Sequence, residues 1–378
     1  MTLSATDSRA RYIMIGGFLG AGKSTAILKL AQRLRAAGRT VGLITNDQGI
    51  DLVDTAFMRS HGFDVEEIAG GCFCCRFDSL KDAADRLTMK MRPDVFIAEP
   101  VGSCTDLIAT VSYPLRRLYG DAFSIAPLSV VLDPTRARRV LGLDDDSRFS
   151  SKVRYIYRKQ IEEADLIVIN KIDGIDANAV QELTQRLRDE FPDREIRSVS
   201  ARTEIGLPAW FDHLLANDLK SGNPLTIDYE TYAEGEALLG WLNATLTLQS
   251  PEPVEGTAVL ESLANRVRDT LTGRSAEIAH MKMTLAPDDG SNELAVLNLV
   301  RNDVVPEASQ ALSDPLTTGE LVLNVRAECD ATEIRAALDD AIRKLARRST
   351  PLSLTISHVE QFQPAPPEPT HRDTNQTE

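Results

Sequence analysis

Short apolar runs that end in glycine or polar residues alternate with helical stretches over the first half of this chain. Positions 12–15 are the first run. Ile27, Leu28, Leu30, Ala31 and Leu34 then recur at helical spacing across 26–37, and Gly38 stops the helix. Apolar runs return at 95–98, ending in Glu99, and at 166–169. Strand–loop–helix units of this kind predict an α/β domain with a parallel sheet over residues 1–222. A polar, turn-rich stretch at 223–236 reads as a linker. Beyond it come a strand in "GWLNATLTLQ", an amphipathic helix, two strands paired across an Asp-Asp-Gly turn, then strand, helix and strand. Strand–helix–strand twice, with an extra hairpin strand, predicts a smaller ferredoxin-like α+β domain over 237–363. The end, "PAPPEPTHRDTNQTE" at 364–378, reads as a disordered tail.

Composition narrows the partners. The 378 residues and 43% hydrophobic content suit two domains with real cores, and the net charge of −14 disfavours general binding to nucleic acid phosphates or anionic membranes. No apolar run approaches the ~18 residues of a membrane span. The short apolar stretch near the start runs straight into a glycine-rich loop, so it does not read as a signal peptide, and a cytoplasmic protein with reduced thiols is expected.

The loop after the first run carries chemistry. Gly17, Gly22, Lys23 and Ser24 fit G-x-x-x-x-G-K-[ST], with Gly20, Ala21 and Thr25 completing the cradle. Glycines let backbone N–H groups turn inward onto phosphates, and the following helix adds its positive end. Lys23 then reaches the β- and γ-phosphates, and Ser24 takes magnesium. Downstream, Asn170-Lys171-Ile172-Asp173 ends an apolar run. The Asp173 carboxylate can accept both N1–H and the 2-amino group of guanine, which adenine lacks, so GTP is expected over ATP. Ser200 and Ala201 are placed to close over the base. Glu99 can hold magnesium or orient the attacking water, and Gly102 can offer its N–H to the γ-phosphate. Asp47, at the end of a further strand, is a candidate for magnesium or a second metal.

Three of the five cysteines, Cys72, Cys74 and Cys75, fall within "GGCFCC". Thiolates are soft donors that select zinc, cobalt(II) or copper(I) over magnesium. One tight cluster with no second pair in sequence leaves a tetrahedral ion short of ligands, with room for a client's donor. In an extended stretch Cys72 and Cys74 share one side, as core ligands, and Cys75 points away as an exchange ligand. Buried packing and redox chemistry are the other readings of the trio. Cys104, beside Gly102, reads as a fourth thiolate or as a plain helix-start cysteine.

"GGFLGAGKST", "GGCFCC", "EPVG" and "QIEEADLIVINKID" together resemble the CobW-type GTPases, over roughly residues 11–215. That resemblance implies a SIMIBI-type P-loop domain and magnesium-dependent GTP hydrolysis, with Lys23, Glu99 and Gly102 catalytic and Ser24, Asp47 and Glu99 at magnesium. It also implies a transition metal, zinc or cobalt, held at Cys72, Cys74 and Cys75 and handed to a client metalloprotein; a homodimer is a further expected assembly. Relatives usually carry Asn-Glu-Phe-Gly where this chain has Asn46-Asp47-Gln48-Gly49, and many carry a histidine-rich stretch where this chain has five scattered histidines. A GTP-dependent maturation factor and a redox-sensing GTP switch are the alternative functions.

Overall fold

The computed structural model describes residues 9–49, 53–144, 148–220, 225–346 and 352–373. The first half contains β1 (Ala10–Gly16), α1 (Lys23–Ala36), β2 (Val41–Asn46), α2 (Val53–Ser60), β3 (Val65–Ile68), α3 (Phe77–Met91), β4 (Val95–Glu99), α4 (Tyr113–Tyr119), β5 (Phe123–Ile125), β6 (Ser129–Leu132), α5 (Pro134–Val140), α6 (Ser151–Glu163), β7 (Leu166–Ile169), α7 (Ala177–Glu190), β8 (Glu195–Ser198) and α8 (Leu207–Ala216). Its strands form a parallel sheet in the order β3-β2-β4-β1-β6-β7-β8, with β5 added to β1. β1 is central, pairing Ile13 with Ile97 of β4 and Ile15 with Ser129 of β6. Helices cover both faces, which is why the strands read as unbroken apolar runs. Phe73, Phe77 and Phe96 pack on one face; Ile27, Leu30 and Trp210 pack on the other.

The second half contains α9 (Tyr229–Ala237), β9 (Leu239–Val254), α10 (Gly256–Gly273), β10 (Glu277–Pro287), β11 (Ala295–Leu299), β12 (Glu307–Gln310), β13 (Leu316–Glu328), α11 (Ala331–Ala346) and β14 (Ser353–Phe362). The antiparallel order β12-β11-β10-β13-β9-β14 is the expected ferredoxin-like core with β11 and β12 added beside β10. Leu260, Leu263 and Val267 of α10 and Ile334 and Leu338 of α11 pack with Leu246, Met283 and Leu323 of the sheet. Strand residues alternate sides. His280 and Lys282 therefore face away from these helices, and their register partners are Arg326 and Asn324 of β13. This polar face lies on the first domain.

Two expectations change. The stretch read as a linker folds from Tyr229 into α9, because Asp228 caps it, its carboxylate accepting from the Glu230 and Thr231 N–H groups, and because Tyr232 and Glu236 are buried. Residues 364–373, read as disordered, are laid over the first domain. Thr370 N–H donates to the Cys74 carbonyl at 2.8 Å, Asp373 N–H to the Ala109 carbonyl at 2.8 Å, and Arg372 to the Asp106 carboxylate at 2.6 Å. Residues 374–378 lie outside the described residues.

Candidate functional site

The loop between β1 and α1 turns where glycine permits it. Gly22 has φ +96°, and a Cβ there would stand 2.4 Å from the Asn170 side-chain amide. That closeness joins the phosphate loop to the base-reading motif. Lys23 Nζ donates to the Gly17 carbonyl at 2.9 Å and lies 3.9 Å from Glu99. Ser24 Oγ donates to Glu99 at 3.0 Å. Burial pulls the Lys23 ammonium down, and burial with the neighbouring Asp54 pushes Glu99 up to about 7. The second Glu99 oxygen is buried without a partner among the described residues. Gly102 backs onto the same loop: a Cβ there would meet Leu19 at 2.6 Å.

Asn170, Lys171, Asp173, Ser200 and Ala201 gather beside the phosphate loop. Asn170 donates to the Ala21 carbonyl and accepts from the Ala201 N–H, each at 2.9 Å. Lys171 Nζ donates to the Gly20 carbonyl at 2.6 Å and to Asp133 at 3.0 Å. Ser200 Oγ donates to Asp173 at 2.6 Å. Thr25 lines the same cavity, of about 720 Å³.

Asp47, the magnesium candidate of the sequence, is turned away from Ser24. The Asp47 carboxylate accepts from Arg326 at 3.0 and 3.1 Å, so it is not presented to Ser24. Asp54, at the start of α2, stands there instead, held by Lys282 of β10 at 2.6 Å to both oxygens. Lys282 also donates to Ser24 Oγ at 3.3 Å. His280 lines the cavity with both ring nitrogens unpartnered among the described residues; burial and nearby Lys282 hold it well below its usual range. None of Asp54, His280 and Lys282 belongs to a contiguous motif. The one sequence signal was the alternation His280-Met281-Lys282-Met283 within an apolar strand.

The thiols follow β3, the edge strand, two places from β4. The chain turns there, with Cys75 N–H donating to the Cys72 carbonyl at 3.1 Å, so the stretch is not extended and Cys75 points inward. Sulfur separations are 2.8 Å for Cys72–Cys74, 3.1 Å for Cys72–Cys75 and 3.7 Å for Cys74–Cys75. All three can hold one ion. Cys104 is buried in the same cluster as Cys72 and Cys74. Hydrogen bonds from Cys104, Cys74 and Cys75 hold the Cys72 thiol well below its usual range, while Cys72 pushes Cys75 up to about 11. Gln160 of α6 fixes the Cys104 loop, donating to the Gly102 and Cys104 carbonyls at 2.9 and 2.8 Å. The tail crosses outside, with Glu368 N–H 3.3 Å from Cys75 Sγ and Thr370 Oγ donating to the Cys75 carbonyl at 3.2 Å.

Residues 11–197 match the family described as CobW/HypB/UreG, nucleotide-binding domain. The first domain belongs to that family. Over 215 residues the chain is 31% identical to the zinc chaperone CobW of a Sinorhizobium species, covering 52% of this chain and 59% of that protein. It is 28% identical over 186 residues to the zinc chaperone YeiR of Escherichia coli K12, covering 48% and 53%. The chain thus spans between half and three fifths of the length of these two relatives. Among solved structures, the Zn(II)-bound YjiA GTPase of E. coli matches at 15% identity and TM-score 0.36, covering 88% of this chain and 99% of that one. HypB of Helicobacter pylori in complex with nickel matches at 20% identity and TM-score 0.39, covering 55% and 86%. The CobW-type domain accounts for the phosphate loop, the base motif and the thiol turn; β10 and the tail lie outside the matched residues.

Proposed function

We propose that this chain hydrolyses GTP with magnesium and carries a transition metal, zinc or cobalt, on Cys72, Cys74 and Cys75 to a client protein. The observation that carries the reading is the segment following β4. It begins at Glu99, bonded to Ser24 in the phosphate loop, and five residues later reaches Cys104, buried in one cluster with Cys72 and Cys74. Three convergent thiols fit a soft ion and leave a coordination position for a client's donor. Two zinc chaperones among its relatives favour zinc.

Lys23 would neutralise charge on the β- and γ-phosphates, and Gly102 would present its N–H to the γ-phosphate. Ser24 and Glu99 would hold magnesium, which draws charge from the phosphate oxygens. Asp54 stands ready beside them, whereas Asp47 would reach the ion only by leaving Arg326.

If γ-phosphate orders the Gly102 loop, metal and nucleotide affinities must be linked, each changing the other by the same factor. Competition titration against a chelator, with magnesium and either a non-hydrolysable GTP analogue or GDP, tests this. The expected difference is on the order of 1–3 kcal/mol, tighter with the analogue. Equal zinc affinities in the two states would detach the thiols from the nucleotide cycle.

A further inference from the structure

Ser24 Oγ is the atom through which a phosphate-loop serine takes magnesium. In this structure it receives the Lys282 ammonium at 3.3 Å, and that ammonium is 2.6 Å from both oxygens of Asp54. Lys282 therefore stands in for a divalent cation, and it comes from the second domain. Such a lysine is either a staple between domains or a cation that belongs to the phosphates.

The staples are supplied elsewhere. Arg136 donates to the Leu19 carbonyl of the phosphate loop at 2.6 Å and to the Ile278 and Ala279 carbonyls of β10 at 3.3 and 3.1 Å. Arg326 binds Asp47, and Arg301 binds Asp133 at 3.1 Å. Val53 N–H donates to Asn324 at 3.1 Å. These contacts fix β10 against the phosphate loop whether or not Lys282 is paired. β10 is also an interior strand, flanked by β11 and β13, so its backbone is held on both sides. Lys282 is a flexible stem on a rigid base, aimed at the point where the terminal phosphate and its metal must sit. When magnesium takes Ser24 and Asp54, the ammonium loses its partners, and the acceptors that arrive with the metal are phosphate oxygens.

Resting on the GTPase reading above, we propose that Lys282 moves onto the γ-phosphate oxygens when magnesium occupies Ser24, so that the second domain supplies a catalytic cation to a site the first domain cannot complete. In the step it assists, water oxygen bonds to the γ-phosphorus as the bond to the β–γ bridging oxygen breaks. GDP keeps that electron pair, and the water's protons pass to phosphate and solvent. Lys282 neutralises charge that grows on the phosphate oxygens, as a positioned cation does in phosphoryl transfer.

The test uses the full chain with Lys282→Met, which keeps the apolar stem, and Lys282→Arg. Single-turnover and steady-state GTP hydrolysis are measured with magnesium, alongside GDP affinity and melting temperature. Lys282→Met is expected to lower kcat about 100-fold or more, with KM and GDP affinity within about threefold, and Lys282→Arg to restore part of the rate. Wild-type kcat in Lys282→Met overturns the proposal. So does a rise in KM with kcat intact, or a lost rate matched by a lost melting transition that Lys282→Arg recovers without recovering turnover. A wild-type chain that does not hydrolyse GTP would instead sink the GTPase reading itself.

Discussion

On the GTPase reading proposed above, one carboxylate, Asp173, sets the choice of base. Among the described residues it accepts the Ser200 hydroxyl at 2.6 Å and lies 3.8 Å from Arg202, and it lines the same cavity as the phosphate loop. Asp173→Asn should reduce the preference for GTP over ATP by about 10- to 100-fold, the worth of a charged hydrogen bond. Isothermal titration with both nucleotides checks it, and an unchanged ratio would remove the guanine assignment. Residues of this kind were legible because their motif is contiguous: Gly22, Lys23 and Ser24, and Asn170 to Asp173, carry their geometry in their spacing. Cys75 was misjudged because the extended conformation assumed for it is in fact a turn. Asp54 and Lys282 were invisible because their meeting depends on how two domains dock, which no local pattern encodes.

At the scale of elements, α6 shows how a buried acid braces a loop. Glu163, at its end, accepts from the Ile108 N–H at 2.6 Å and from the Thr105 hydroxyl at 3.3 Å, so it holds the chain just beyond Cys104. Burial pushes it up to about 8 from an ordinary 4.5. The folded protein thus keeps this proton where the unfolded chain has released it. Stability from Glu163 is full below about pH 4.5 and falls as pH rises toward 8, by at most roughly 1.4 kcal/mol per pH unit. Glu163→Gln should flatten that decline, as read by urea melts at pH 5, 6.5 and 8; an unaltered slope would show the proton is not held. The alternation of the second sheet was readable, and its apolar face is the core. The use of its other face was not, since a polar strand face normally meets water.

On the scale of the whole molecule, the second domain and the tail enclose opposite ends of one working edge. β10 closes over the phosphate loop, and residues 368–373 cross the thiols. The order of domains was legible from strand and helix periodicity, whereas the tail was not. Its proline-rich composition holds too little apolar surface to order itself, and its course depends on acceptors elsewhere, at Cys74, Cys75, Asp106 and Ala109. Speed and affinity part company at such a strap. On the metal-carrying reading proposed above, an ion's arrival and its departure would both wait on the same lifting of chain, while the sulfur donors beneath would decide how tightly it is held. A chain ended at residue 363 should therefore load and lose zinc faster by similar factors, with its dissociation constant little changed. Stopped-flow mixing with a chelating dye would show it; a changed constant at unchanged rates would make the strap part of the grip. If that test bears the strap out, the time a metal stays bound would be set by the backbone hydrogen bonds from Thr370 and Asp373, and a partner that peels them away would hasten transfer without touching a thiol.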